Sequence, residues 1–291
     1  TSLGLYYLKP IFQPCFDFAR LKTMLAFSIP IVPSSIAVFV SMYIDRLMIN
    51  HYLSLEEVGL YGIGYRLASV STLVLIGFQM ALTPLVYNHY KEPDTPRQLA
   101  TIFRLFIAIA IVIALILSLF ADVALWILTT PAYYAASQVV VFLVPSILLS
   151  QMYIFAPGIG IAKKTHLLIW INAGGAILNI FFNWMLIPQI GYVGAAIATL
   201  LGSTIVFGMH MYFSQKLYYV PHNWGAIAGV ILIAVVLVTI GLNIHLGLYI
   251  DIFVRVCLIL LMLGAFLAFG ILSREEIIRV RDLLIARWNR S

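Results

Sequence analysis

Charged residues are scarce in this sequence: Asp, Glu, Lys and Arg make up only 10% of its 291 residues. A soluble domain normally carries about 25% charge, so this composition argues against a soluble fold. Hydrophobic residues reach 63%, which is typical of a polytopic membrane protein. The net charge of +6 does not suggest nucleic acid, and we expect no nucleic-acid partner.

Cysteines and catalytic motifs are also lacking. The two cysteines, Cys15 and Cys257, suggest no disulfide framework. The sequence has no glycine-rich phosphate loop, and its His, Cys and carboxylate residues do not cluster at metal-ligand spacing. The predicted outer loops are too short to hold the acid and base groups of a glycan polymerase. We therefore expect no enzyme, no catalytic residue, no metal and no cofactor.

Long apolar runs are what the sequence does contain. A membrane-spanning helix needs about 20 apolar residues. Runs of this kind predict eight helices, at 23–48, 58–87, 99–121, 137–161, 165–187, 193–215, 224–244 and 250–272. The predicted fold class is an all-α, polytopic membrane helix bundle with about eight transmembrane helices. Because proline disrupts helical hydrogen bonding, we expect Pro30 and Pro33 to kink the first helix, and Pro145 and Pro157 the fourth.

Basic residues alternate between the connections. The two ends and the connections after the second, fourth and sixth helices carry Lys or Arg, whereas the other four connections carry none. By the positive-inside rule, both ends should be cytoplasmic, in a multi-pass protein of the cytoplasmic (inner) membrane. In the tail 273–291, apolar residues at helical spacing alternate with arginines. This pattern indicates an amphipathic helix on membrane lipids, or alternatively a terminal helix that is solvated or packed on a neighbouring protein domain.

Arg66 is the only charged residue in the stretch 58–90. An arginine inside a span costs roughly 2.5–3.5 kcal/mol at the bilayer centre, so such residues usually face a bundle interior or a cavity. Asp45 and Arg46 precede it at the end of the first helix. Three interpretations stay open: a structural pair of Arg66 with Asp45 or another partner, a substrate or proton site formed by Arg66 or Arg46, and interfacial snorkelling.

Uncharged polar residues form a second group of candidates. Asn172, Asn179 and Asn183 share one face of the fifth helix, where they either hydrogen bond to a neighbouring helix or line a cavity. Two single glutamines, Gln79 and Gln151, have the same two alternatives. Near the chain's end, Asp251 and Arg255 are spaced i,i+4, so we expect them to neutralise each other.

Two stretches carry a resemblance to a known family. The run FSIPIVPSSIAVFVSMYIDRLMINHYLSLEEVGLYGIGYRLA at 27–68 resembles the seventh and eighth helices of oligosaccharide flippases. These form the polysaccharide-transport branch of the multidrug/oligosaccharidyl-lipid/polysaccharide exporter superfamily. The run NAGGAILNIFFNWMLIPQIGYVGAAIATLLGS at 172–203 resembles the eleventh and twelfth helices, a less specific motif that drug exporters of the superfamily share.

The resemblance implies a lobe of a larger transporter. The family fold has two six-helix lobes around a central cavity, and it moves polyprenyl-pyrophosphate-linked oligosaccharide outward, by alternating access, for surface polysaccharide synthesis. On this basis we expect the chain to be the C-terminal half, with the N-terminal lobe missing and acting as a partner. The predicted segments are a cytoplasmic basic inter-lobe segment, the second six-helix lobe, an additional transmembrane helix pair and the cytoplasmic tail helix, at 1–21, 22–216, 217–272 and 273–291.

The resemblance also assigns roles to residues. The resemblance implies that cationic cavity residues hold the anionic pyrophosphate, a role that falls on Arg66 and Arg46, with Lys22 and Arg104 as weaker candidates. Together with the polar residues above, the predicted substrate-binding set is Arg66, Arg46, Asp45, Gln79, Asn179 and Asn183. Two alternatives remain: an exporter of drugs or small cations, which should show acidic cavity residues, and a non-transporting scaffold that recruits glycan-assembly enzymes.

Overall fold

The computed structural model describes residues 16–29, 31–244 and 247–272. Within these ranges all regular structure is helical. Twelve α-helices, named here α1 to α12, span Phe18–Ser28, Ile31–Tyr52, Leu55–Ser69, Thr72–His89, Thr95–Leu119, Ala121–Leu128, Ser137–Gln151, Gly158–Ile161, His166–Ile190, Tyr192–Leu217, Trp224–Asn243 and Leu248–Ala268. Short 3-10 helices cover Pro131–Ala136 and Met152–Phe155. Most of the predicted inter-lobe segment 1–21 and the whole predicted tail helix 273–291 lie outside the described residues.

The membrane character of the bundle is confirmed. In the described part of the chain, seven helical stretches are long and apolar enough to cross a membrane, and the bent pair α3–α4 can supply an eighth. The prediction of an all-α polytopic bundle with about eight spans therefore holds. The helix bounds differ from the predicted ones mainly where a predicted helix is interrupted.

The predicted continuous helix 58–87 is wrong. It is divided into α3 and α4, which meet at an angle of 40°. No proline or glycine lies at the break; instead, the hydroxyls of Ser69, Ser71 and Thr72 each donate a 2.7 Å hydrogen bond to a nearby backbone carbonyl. Hydroxyl side chains offer the backbone an alternative to the helical hydrogen bond, which accounts for the interruption.

Two further predicted helices are interrupted. The first is interrupted between Ser28 and Ile31, close to its prolines, and the part after the break continues to Tyr52. The fourth was expected to run to residue 161 but ends as an α-helix at Gln151 and passes into a 3-10 turn. Pro157 lies just before α8, where it cannot disrupt a helical hydrogen bond. The other proline of this segment, Pro145, lies inside α7, which continues through it.

Helix α7 lies at the centre of the bundle. It packs against α3, α4, α5 and α10, and its Val139, Val140, Leu143 and Val144 are fully buried. Helix α9 packs between α2 and α10, so four helices converge around the end of α2. Helices α11 and α12 pack on each other and on α5, on another side of the bundle. The division of the chain into a six-helix lobe and an added pair stays a prediction.

An ion pair fastens the last helix to the bundle. The buried Arg255 of α12 donates two hydrogen bonds to Asp122 at the start of α6, from Nη1 at 2.7 Å and from Nη2 at 2.8 Å. Burial by itself would raise the pKa of Asp122, but the hydrogen bonds and charge of Arg255 hold it below its ordinary value. The i,i+4 spacing predicted Asp251 as the partner of Arg255. In the structure both terminal nitrogens of Arg255 instead donate to Asp122.

Candidate functional site

A buried carboxylate lies where α2, α3, α9 and α10 meet. The side chain of Asp45 accepts hydrogen bonds from Tyr61 Oη at 2.8 Å, Thr199 Oγ1 at 2.8 Å and Asn183 Nδ2 at 2.7 Å. Only 3% of Asp45 is exposed. Each donor comes from a different helix, so the carboxylate joins four helices at one point.

The amide of Asn183 extends this cluster. Its Nδ2 lies within hydrogen-bonding distance of two further acceptors, the backbone oxygen of Asn179 at 2.9 Å and the side-chain Oδ1 of Asn179 at 3.2 Å. Its own Oδ1 is buried and has no hydrogen-bond partner among the described residues. Because the oxygen and nitrogen of an amide exchange places by a half turn, Asn183 can direct either atom at Asp45.

Close helix packing positions the tyrosine of the cluster. At Gly64, one turn after Tyr61, an added Cβ would lie 2.8 Å from the backbone oxygen of Ala136 and would overlap the side chain of Val139. Only glycine therefore allows α3 to approach α7 so closely. This contact fixes the depth at which Tyr61 reaches Asp45.

The hydrogen-bond donors to the Asp45 carboxylate are all uncharged side chains. Among the residues that the structure describes, Asp45 forms no salt bridge. The guanidinium of Arg46, the next residue, lies over the ring of Tyr65 at 4.7 Å and donates to the backbone oxygen of Met42 at 3.1 Å. A lone carboxylate buried within membrane helices is costly, so such a group is a functional candidate by default.

Arg66 lies in a different environment. It is exposed on α3, and its side chain makes no hydrogen bond or salt bridge to another described residue. The expected alternative of an Asp45–Arg66 pair is wrong, since Asp45 is held by other partners. Arg66 lies one turn before the break between α3 and α4, so the positive N-terminal end of α4 begins nearby.

The remaining predicted polar residues make contacts between helices. Asn172 of α9 donates to Ser34 of α2 at 2.7 Å, and Gln79 of α4 donates to Gln151 at the end of α7 at 3.3 Å. Asn172 and Asn183 therefore form the interhelical hydrogen bonds that were one of their two predicted alternatives, Asn172 with Ser34 and Asn183 with Asp45. Gln79 does not take part in the Asp45 cluster.

The two weaker candidates lie apart from this cluster. Lys22 is exposed on α1. Arg104 of α5 donates from Nη1 to the backbone oxygen of Gly270 at 3.1 Å, beside the end of α12. Of the residues in this cluster, the predicted substrate-binding set contains Asp45, Asn179 and Asn183, and it lacks Tyr61 and Thr199. For Tyr61 a signal existed, because it shares a helical face with Tyr65; for Thr199 there was none.

The Asp45 cluster can bind a proton or a small hard cation. Besides the two carboxylate oxygens, Asn179 and Thr199 offer oxygens, and a half turn of the Asn183 amide would add another. The described residues contain no group of three or more His, Cys, Asp or Glu that could hold a metal ion, so we do not propose a multivalent metal centre among them. Oxygen-lined sites with little charge suit the coupling ions of transporters, which bind near interrupted helices.

Comparison with known proteins identifies the fold family. The MatE family model matches residues 30–185, which is more than half of the chain and includes the Asp45 end of α2, the α3–α4 break and most of α9. No match to the chain is found among curated proteins or among solved structures. The chain therefore belongs to the MatE family of membrane exporters and flippases, within the multidrug/oligosaccharidyl-lipid/polysaccharide exporter superfamily.

Proposed function

We propose that the chain is the C-terminal lobe of a flippase that moves a polyprenyl-pyrophosphate-linked oligosaccharide across the cytoplasmic membrane. It would work by alternating access together with an N-terminal lobe, and cation binding at Asp45 would drive the cycle. The observation that carries this proposal is Arg66, an exposed and unpaired guanidinium within the described part of an interrupted membrane span.

Arg66 has the properties of an anion ligand. Intramembrane arginines face a protein cavity or water, because exposure to lipid is costly. The guanidinium presents a planar fork of donors that matches phosphate oxygens. The N-terminus of α4, which begins at Thr72, adds a positive helix dipole nearby. Interrupted helices that direct such ends at a substrate are common in transporters.

Helix α3 links this cation to the buried carboxylate. Tyr61 donates to Asp45, and one turn later the ring of Tyr65 lies under the guanidinium of Arg46. Arg66 is the next residue along the same helix. We expect a cation at Asp45 to compete with Tyr61 for the carboxylate, and a resulting shift of α3 would move Arg66 together with the Tyr65 ring that contacts Arg46. Movement of α3 would therefore couple cation binding at Asp45 to substrate binding at Arg66.

The charge distribution favours an anionic substrate over a cationic drug. A drug or small-cation exporter should direct acidic side chains into its cavity. In this lobe the membrane-embedded Asp45 is enclosed by three hydrogen bonds, whereas Arg66 is exposed and Arg46 is half-exposed. The alternative of a non-transporting scaffold for glycan-assembly enzymes gives no reason for an exposed arginine at this depth.

Export by cells tests this proposal. Arg66→Ala should abolish or strongly reduce glycan export while the protein still accumulates, because the side chain makes no described contact that would be lost. Arg66→Lys should recover part of the export, since it keeps the charge and loses the fork. The control is Arg20→Ala, which removes another exposed arginine, on α1. Normal export by Arg66→Ala, with abundance measured in the same cells, would refute the assigned role.

A further inference from the structure

A second polar site, which shares no residue with the Asp45 cluster, lies between the starts of α5 and α11 and the end of α12. It is a cavity of about 210 Å³, called here the basic pocket. Its lining includes Arg97, Thr101, Arg104, His222 and Asn223. The lining contains two arginines and a histidine and no acidic side chain.

Specific hydrogen bonds shape the pocket. The side chain of Gln215 donates to the backbone oxygen of Val220 at 3.0 Å and accepts from its nitrogen at 2.9 Å, which fixes the loop before His222. Asn223 caps α11 by accepting from the backbone nitrogen of Ala226 at 3.2 Å. The bond from Arg104 to the end of α12 closes the opposite wall. These hydrogen bonds hold the walls of the pocket in place.

The histidine of the pocket has unused hydrogen-bonding capacity. Its ring packs edge-on against Phe103 and Trp224, with centroids 4.6 and 5.1 Å apart, respectively. Both nitrogens of His222 are buried without a hydrogen-bond partner among the described residues. Burial lowers the pKa of His222 to about 4, so the ring is neutral at pH 7 and has one N–H to donate.

Two helix N-termini converge on the same space. Arg97 lies in the first turn of α5, and Asn223 is the residue before α11. The N-terminal end of a helix carries partial positive charge and favours anions. Arginine guanidinium groups, a histidine N–H and two such helix ends together match the charge and the acceptor oxygens of a phosphate group.

The pocket also lies at a suitable depth. It is formed at the connections after the second and sixth predicted helices, both of which the basic residues predict to be cytoplasmic, and at the end of the last described span. Basic pockets between transmembrane helices on the cytoplasmic side bind phospholipid headgroups. We propose that the basic pocket binds a phosphate group, carried either by an anionic phospholipid of the inner leaflet or by soluble phosphate.

Native mass spectrometry of the full chain tests this proposal. The chain is mixed with phosphatidylglycerol, and bound lipid is counted against a phosphatidylcholine reference. Arg97→Gln should weaken phosphatidylglycerol binding about fivefold, as expected for losing about 1 kcal/mol of attraction per basic residue. Thr101→Glu, which places a carboxylate in the lining at an exposed position, should abolish selective binding.

Two control variants make the same kinds of charge change, the loss of a cation and the gain of a carboxylate, outside the pocket lining. Lys164→Gln removes an exposed cation outside the pocket, and Gln98→Glu adds a carboxylate on the same turn of α5 but outside the lining. Both should leave phosphatidylglycerol binding unchanged. If the controls weaken binding as much as the pocket variants do, the attraction is a general surface effect and the proposal is wrong.

A second arm separates the two sources of phosphate. Inorganic phosphate is titrated into the chain in phosphatidylcholine nanodiscs, and binding heat is measured. Binding of phosphatidylglycerol with no response to inorganic phosphate identifies the lipid headgroup, whereas an Arg97-dependent response identifies soluble phosphate. If neither binds, or if both bind equally well to Arg97→Gln and Thr101→Glu, the proposal is overturned.

Discussion

The substitution Asp45→Asn should separate the stability of the lobe from its transport activity. An asparagine has the shape of the aspartate, and the hydroxyls of Tyr61 and Thr199 can donate to its oxygen or accept from its nitrogen. The amide of Asn183 can turn to complement it. All three interhelical contacts can therefore persist, and we expect the free energy of unfolding to change by less than about 1 kcal/mol. Transport should nevertheless be lost, because the neutral amide lacks the negative charge that would hold the driving cation and cannot accept a proton as the carboxylate does.

Asp45→Ala gives the matched comparison. It removes all three hydrogen bonds, and interhelical hydrogen bonds in membranes average about 0.6 kcal/mol, so about 2 kcal/mol should be lost. Thr199 and Asn183 keep alternative acceptors, the backbone oxygens of Ala195 at 2.8 Å and Asn179 at 2.9 Å. Tyr61 is left with only the hydroxyl of Thr199, at 3.5 Å. Most of the damage should therefore fall on the contact between α2 and α3.

The assay measures thermal unfolding in detergent and glycan export in cells for both variants. We expect near-normal unfolding for Asp45→Asn, a clear loss of stability for Asp45→Ala, and no export by either. Full export by Asp45→Asn would refute a coupling role for the carboxylate. Equal destabilisation by the two substitutions would refute the hydrogen-bond reasoning.

Two further predictions concern packing and pH. Gly64→Ala should destabilise the lobe by about 1–3 kcal/mol, because its Cβ would press on α7, whereas Gly62→Ala, where nothing lies within 4 Å, should be tolerated in the same unfolding assay. Asp122→Asn should cost about 1–2 kcal/mol at pH 7, below the usual cost of stranding a buried charge because Asp122 is half-exposed. The pKa of Asp122 is lower in the folded protein than its ordinary value. The ion pair therefore stabilises the fold fully at a pH above the ordinary pKa, and this stabilisation is lost as the pH falls through the folded-state pKa. The difference from the unsubstituted chain should therefore shrink below about pH 4, and a constant difference across pH would contradict the ion-pair explanation.

Apolar run length was enough to predict the membrane bundle and most of its helices. It could not predict the break between α3 and α4, because the hydropathy of 58–87 is continuous and the interruption depends on local hydroxyl hydrogen bonds. The alternation of basic residues between connections predicts the orientation of the bundle. Labelling of introduced cysteines from one side of the membrane tests that prediction.

The candidate site was predicted in part for a similar reason. Asn179 and Asn183 share a helical face, and the Asp-Arg pair ends a distinctive motif, so both groups were visible in the sequence. Their meeting depends on how α2 packs against α9. Thr199 reaches Asp45 from a helix that no spacing rule connects to α2, and Arg255 likewise finds Asp122 across the bundle. Contacts between distant segments are set by tertiary packing, which a single sequence does not encode as a local pattern.

The flippase proposal is tested most directly by transbilayer movement of a defined substrate. The lobe is reconstituted with its N-terminal partner lobe in liposomes, and the movement of a fluorescent polyprenyl-pyrophosphate-linked oligosaccharide is measured under a cation gradient. We predict movement that requires the pyrophosphate, is lost with Arg66→Ala, and depends on the gradient only while Asp45 is present. Movement of a cationic dye in place of the lipid-linked oligosaccharide, unaffected by Arg66→Ala, would contradict the proposal.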